Sequence, residues 1–142
     1  MKWLKWFIAG LLAVPLFHQS VLYLLNMFGL TTRKAFAMAS TQPFGVPQTF
    51  SLSFWGGVWG IVLGLVLLRV RGRAYFIVAC LFGAIVPTLV SGLVVGPLKG
   101  QAMGFDGKTL LIGVLVNLAW GFGTAALYRV MDDNKEVTPA AP

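Results

Sequence analysis

Four apolar stretches constrain this chain more than any other feature: Trp3 to Phe28, Leu52 to Val70, Ala74 to Gly96 and Thr109 to Val130. Each is close to the ~20 residues an α-helix needs to cross a hydrocarbon core. A bilayer interior offers backbone N–H and C=O groups no water, so such segments satisfy themselves as helices. Short connections make successive helices antiparallel. The sequence predicts an all-α integral membrane protein, an antiparallel four-helix transmembrane bundle forming one domain over residues 1–142, with a polar tail over 131–142. Its residues are 58% hydrophobic and 11% charged, against about 45–50% apolar and about 25% charged in soluble domains.

The first stretch opens with Lys2 and Lys5 around Trp3 and Trp6, and Ala35-Phe36-Ala37 imitates a signal cleavage pattern. Its apolar run is about twice the 7–15 residues of a signal core, so a retained helix is expected. Pro15, Gln19, Tyr23 and Asn26 fall at steps of four, four and three, a stripe expected to face other helices. His18 sits at the edge of that face.

Small residues mark the other helices. Gly56, Gly60 and Gly64 recur every fourth residue, with Gly57 beside them. A ridge without side chains lets another backbone approach closely. The third stretch carries Ala79, Gly83, Pro87 and Ser91 on one stripe and Ala84, Thr88, Gly92 and Gly96 on the next; the fourth carries Gly113, Asn117, Gly121 and Ala125, with Trp120 and Thr124 alongside. The tightest contacts are therefore expected among the second, third and fourth helices.

The longest connection, Thr31 to Phe50, holds the Pro43-Phe44-Gly45-Val46-Pro47 turn and is too apolar to trail in water; it is expected to lie on the membrane surface or to dip inward where protein shields it. Pro97 to Lys108 reads as a flexible loop. Lys2, Lys5, Arg69, Arg71, Arg73, Arg129 and Lys135 lie on one side, against Arg33, Lys34, Lys99 and Lys108 on the other. The positive-inside bias places both termini in the cytoplasm. The net charge of +7 fits anionic membrane lipids, and without a docking module it points away from nucleic acid.

Catalytic groups are sparse. No Asp, Glu or Lys lies near the middle of a stretch, which argues against a proton-driven exporter, and Asp106 has no second carboxylate for an aspartic peptidase. Cys80 in an apolar run reads as a packing residue. No phosphate loop, paired-cysteine metal site or nucleophile elbow occurs in a usable context. His18 is the one histidine; it is either a ligand for haem or a pigment or, the reading preferred, a neutral imidazole bonded to a neighbouring helix. Gln19, Asn117, Thr88 and Ser91 either line a polar path or bond helix to helix.

Phe17-His18-Gln19, the Pro43 to Pro47 turn, and Phe54-Trp55-Gly56-Gly57 with Trp59-Gly60 together resemble a pattern found in small bacterial four-helix inner-membrane proteins. That resemblance covers the first half and implies a bacterial cytoplasmic membrane; it carries over no activity, cofactor or site. The expectation is a non-enzymatic structural or accessory protein, in a homo-oligomer or a larger membrane complex. The alternative is a small-solute or lipid transporter or channel in which His18, Gln19 and Asn117 line a cavity lidded by the Pro43 to Pro47 turn. A haem- or pigment-binding electron-transfer subunit is a third.

Overall fold

The computed structural model describes residues 1–133. Of the polar, disordered tail expected over 131–142, residues 131–133 instead continue the last helix; the rest, with Lys135, lies outside the described residues. Four helices are long and apolar enough to cross a membrane: α1 (Lys2–Met27), α2 (Gln48–Leu67), α3 (Arg73–Leu98) and α4 (Gly107–Asp133). At 1.5 Å per residue the 20-residue α2 spans about 30 Å, the thickness of a hydrocarbon core, and the longer helices extend past it or tilt. The segment between α1 and α2 adds a two-stranded hairpin, β1 (Ser40–Thr41) against β2 (Val46–Pro47), with Ser40 opposite Pro47 and Thr41 opposite Val46.

The bundle consists of two tightly crossed pairs, α1 with α2 and α3 with α4, joined mainly by α1 lying on α4. The α2–α3 side is sparsely packed, bridged by the Trp59 and Phe82 rings edge to face at 6.1 Å. The expectation that α2, α3 and α4 hold the tightest contacts is thus corrected: α1 takes a central place. The reason is Gly10. A β-carbon there would collide with the Gly56 carbonyl and sit 2.9 Å from Gly60 Cα; one on Gly60 would sit 3.0 Å from Gly10 Cα. Gly64 faces the Trp6 ring and Gly57 the Phe7 ring. The glycine ridge of α2 therefore packs on α1. The second pair repeats the device: a β-carbon on Gly83 would meet the Asn117 carbonyl and lie 3.0 Å from Gly121 Cα, and Gly113 faces Thr88. Gly92 differs, because the Phe105 ring of the following loop covers it where a helix was expected.

The polar stripe expected on α1 does not survive as drawn. Trp6, Ala9, Gly10, Ala13 and Val14 are buried at helical spacing, after which burial resumes at Gln19 and Leu22, while Tyr23 is 53% exposed. The cause is a π-helical turn over Val14–His18, closed by Gln19 N–H donating to the Val14 carbonyl. One extra residue per turn shifts the inward face from a four-residue to a five-residue step. Pro15, which has no N–H to give the regular ladder, lies in this turn. A second π turn, Ser91–Val95, follows Pro87 in α3; there Ser91 is exposed while Gly92 and Gly96 stay buried.

Side chains lock the end that carries the termini. Trp6 stacks on Tyr128 at 3.7 Å, Lys5 Nζ donates to the Met131 carbonyl at 2.6 Å and pairs with Asp132 at 2.9 Å, and the Arg129 guanidinium lies over Tyr75 at 4.6 Å. The opposite end, carrying the hairpin and the 99–106 loop, is called the distal end below. There Asp106 opens α4: Oδ2 accepts from Thr109 Oγ1 at 2.6 Å and Oδ1 from Thr109 N at 2.9 Å. The hydroxyl bond, then the backbone bond, holds this carboxyl below its usual range. A lowered folded-state pKa means that the cap's contribution is present above the ordinary carboxylate value of about 3.9 and disappears as pH falls through the lowered one. Amide exchange at Thr109 to Leu111 is expected to accelerate selectively at acid pH, and in Asp106→Ala to be fast and free of that pH step.

Candidate functional site

The polar side chains singled out within the spans have defined partners. Gln19 is 2% exposed, and its Oε1 accepts the Phe36 backbone N–H at 2.8 Å. Its amide nitrogen lies 3.5 Å from His18 Nδ1, the outer limit of a hydrogen bond. Asn117 Nδ2 donates to Thr88 Oγ1 at 2.9 Å, tying α4 to α3. Trp120 Nε1 donates to the Gly10 carbonyl at 3.0 Å, tying α4 to α1 beside the glycine crossing. Interhelical bonds of this kind contribute about 0.6 kcal/mol each in a membrane.

Gln19 acts on the loop as much as on the helices. Its bond catches the connection at Phe36, whose φ of 54° is a left-handed conformation costly for a side chain of this size. Further along, Thr49 Oγ1 donates to the Ala37 carbonyl at 2.8 Å and Gln48 N to the Ala39 carbonyl at 2.9 Å. Asn26 Nδ2 holds the Thr31 carbonyl at 2.9 Å. The connection is therefore folded down on α1 and on the start of α2, which begins at Gln48, ahead of the expected Leu52. What projects is the hairpin, with Phe44 at its tip 87% exposed. The segment that bonds Gln19 is Phe36, upstream of the Pro43 to Pro47 turn expected as a lid. Phe36→Gly is expected to relieve about 1 kcal/mol of backbone strain, read as slower exchange of the Phe36 amide proton.

Comparison of the chain with protein-family models, with curated proteins and with solved structures found no match. The site is therefore read from its own chemistry.

A cavity of about 90 Å³ opens at the distal end, walled by Thr88, Ser91, Gly92 and Gly96 of α3, Gln101, Ala102, Gly104 and Phe105 of the next loop, Thr109 and Gly113 of α4, and Arg33. His18, Gln19 and Asn117 are not among its wall residues; Asn117 is linked to it through its bond to Thr88. Among the described residues no group of three His, Cys, Asp or Glu side chains is placed to hold a metal ion.

Sequence reasoning missed Gly10, Phe36, Arg33 and Phe105. Gly10 had a signal, since Ala9 and Ala13 flank it in a small-residue pattern. Arg33 reads from the sequence as a topological charge, and the others depend on loop geometry that periodicity does not carry.

Proposed function

We propose that the protein is a non-enzymatic accessory component of a larger membrane assembly, seated in a bacterial inner membrane with both termini cytoplasmic and the distal end outside. The observation that carries this reading is how Gln19 is used. The most deeply buried amide of the bundle bonds the backbone of a surface connection, and that bond helps to present an ordered apolar hairpin beyond the helix ends. Investment of this kind favours a displayed surface over a solute path, because burying an amide costs energy unless a partner repays it.

Orientation rests on the excess of Lys and Arg beside the termini and the Arg69 to Arg73 turn. The bacterial setting rests on the resemblance of the first half to small inner-membrane proteins. Outward residues such as Leu16, Ile77, Leu81 and Leu111 are exposed and suit contact with acyl chains. The partner favoured for the hairpin is another membrane protein whose outer surface offers an apolar recess for Phe44. A path lined by His18, Gln19 and Asn117 has less support, since two of the three bond within the protein.

The test is native mass spectrometry of the full chain extracted with its surrounding membrane. A heteromer of fixed stoichiometry that loses its partner in Phe44→Ser, with helix content unchanged, is the expected result. Monomer carrying only lipid, in wild type and variant alike, contradicts the proposal.

A further inference from the structure

We infer that the distal cavity binds a phosphate group. The inference stands on the cavity wall and is independent of the accessory role. Arg33 supplies the charge: the one ion pair among the described residues joins Lys5 and Asp132, so its guanidinium has no carboxylate to answer. Thr88 supplies a buried donor. It is 2% exposed and lines the cavity, and its oxygen accepts from Asn117 while its hydroxyl proton has no acceptor among the described residues. The Ser91 hydroxyl and the Gln101 amide add donors from two further positions in the wall. Thr109 contributes none, its proton being committed to Asp106.

Three features select phosphate among possible ligands. The donor-bearing residues come from three parts of the chain, a loop before α2, α3 and the loop after it, and Arg is the side chain best matched to phosphate oxygens. The wall includes backbone at Gly92, Gly96, Gly104 and Gly113, so about 90 Å³, room for about three waters, remains for a compact group and not for a whole lipid. The distal end is also cationic, with Arg33, Lys34, Lys99 and Lys108 against Asp106 alone, whose carboxylate is bonded to its own helix turn. The cavity lies toward the end of the bundle where α3 ends and α4 begins, so the phosphate belongs either to a lipid headgroup or to a solute in water.

The experiment uses the full chain purified in a non-ionic detergent, with two probes: inorganic phosphate followed by calorimetry, and phosphatidylglycerol against phosphate-free diacylglycerol followed by native mass spectrometry. One bound phosphate-bearing molecule per chain is expected. Binding should weaken about tenfold in Arg33→Gln and fall in Thr88→Val, with Thr88→Ser restoring it and Lys34→Gln leaving it intact. Retention of phosphatidylglycerol without affinity for inorganic phosphate assigns the lipid source; affinity for inorganic phosphate alone assigns the solute; both uphold the site. Equal retention of diacylglycerol, unchanged binding in Arg33→Gln, or an equal loss in Lys34→Gln, the mark of diffuse charge, overturns it.

Discussion

Gly10→Leu is expected to separate α1 from α2 and abolish the folded bundle, the largest effect of any single substitution at the glycine crossings. The cause is steric. A β-carbon at this position runs into the Gly56 carbonyl and lies 2.9 Å from Gly60 Cα, and both obstacles are backbone that no rotamer change can move. Overpacking a core costs about 1–3 kcal/mol when side chains can shift, and more when they cannot. Gly10→Ala should already cost about that range, and Gly10→Leu should exceed what a small bundle can absorb. The loss extends to α4, because the Gly10 carbonyl accepts the Trp120 indole proton. Unfolding in mixed detergent micelles, followed by circular dichroism, measures this; a Gly10→Leu protein as stable as wild type would mean that α1 and α2 do not cross at this point.

Gln19→Met is expected to free the connection between α1 and α2 while leaving the helices folded. Methionine matches the length and removes the acceptor, so the Phe36 N–H loses its partner at a cost of about 1–3 kcal/mol. Phe36 also holds an unfavourable φ, and without its tether that strain drives release. Hydrogen exchange over residues 31–39 should rise by about ten- to a hundredfold, since each 1.4 kcal/mol is a factor of ten, with no matching change in α3 or α4. Thr49 still holds Ala37, which confines the release to the part of the loop nearest α1. Uniform acceleration across all four helices would show that Gln19 supports the bundle itself.

These two positions also mark what the amino-acid order makes legible. The four spans are visible because a membrane helix needs a long apolar run, and the α2 ridge because Gly56, Gly60 and Gly64 repeat. Gly10 stands alone in its helix and its role appears only when Gly56 and Gly60 are set against it. The inward face of α1 is misread beyond Pro15 because a π turn inserts a residue that fixed periodicity cannot anticipate; Tyr23, placed inside by a four-residue step, is exposed. Gln19 is recognisable as a buried polar group, but its partner is a loop backbone atom that no pattern indicates. The cavity is less legible still. Arg33 looks like any juxtamembrane charge until loops from two parts of the chain meet over Thr88.

The repeated crossing, Gly10 with Gly56 and Gly60, then Gly83 with Gly121, gives the bundle two rigid halves joined through α1 and α4. Each half opens with a helix that contains a proline and a π turn, and Trp-Gly recurs at Trp59-Gly60 and Trp120-Gly121. At the distal end Gln19, Asn26 and Asp106 brace the loops.

The central claim is that the middle of this bundle is dry and structural, with its polar chemistry directed to the distal surface. Its most direct test places single cysteines at Ala13 and Thr124, both 0% exposed, and at Phe44 as a positive control, in a Cys80→Ser background in intact membranes. A membrane-impermeant maleimide is predicted to label the Phe44 position fully and the two interior positions not at all. Labelling of the Ala13 and Thr124 positions from water, in protein shown to be folded, would reveal an aqueous path through the bundle and contradict the account.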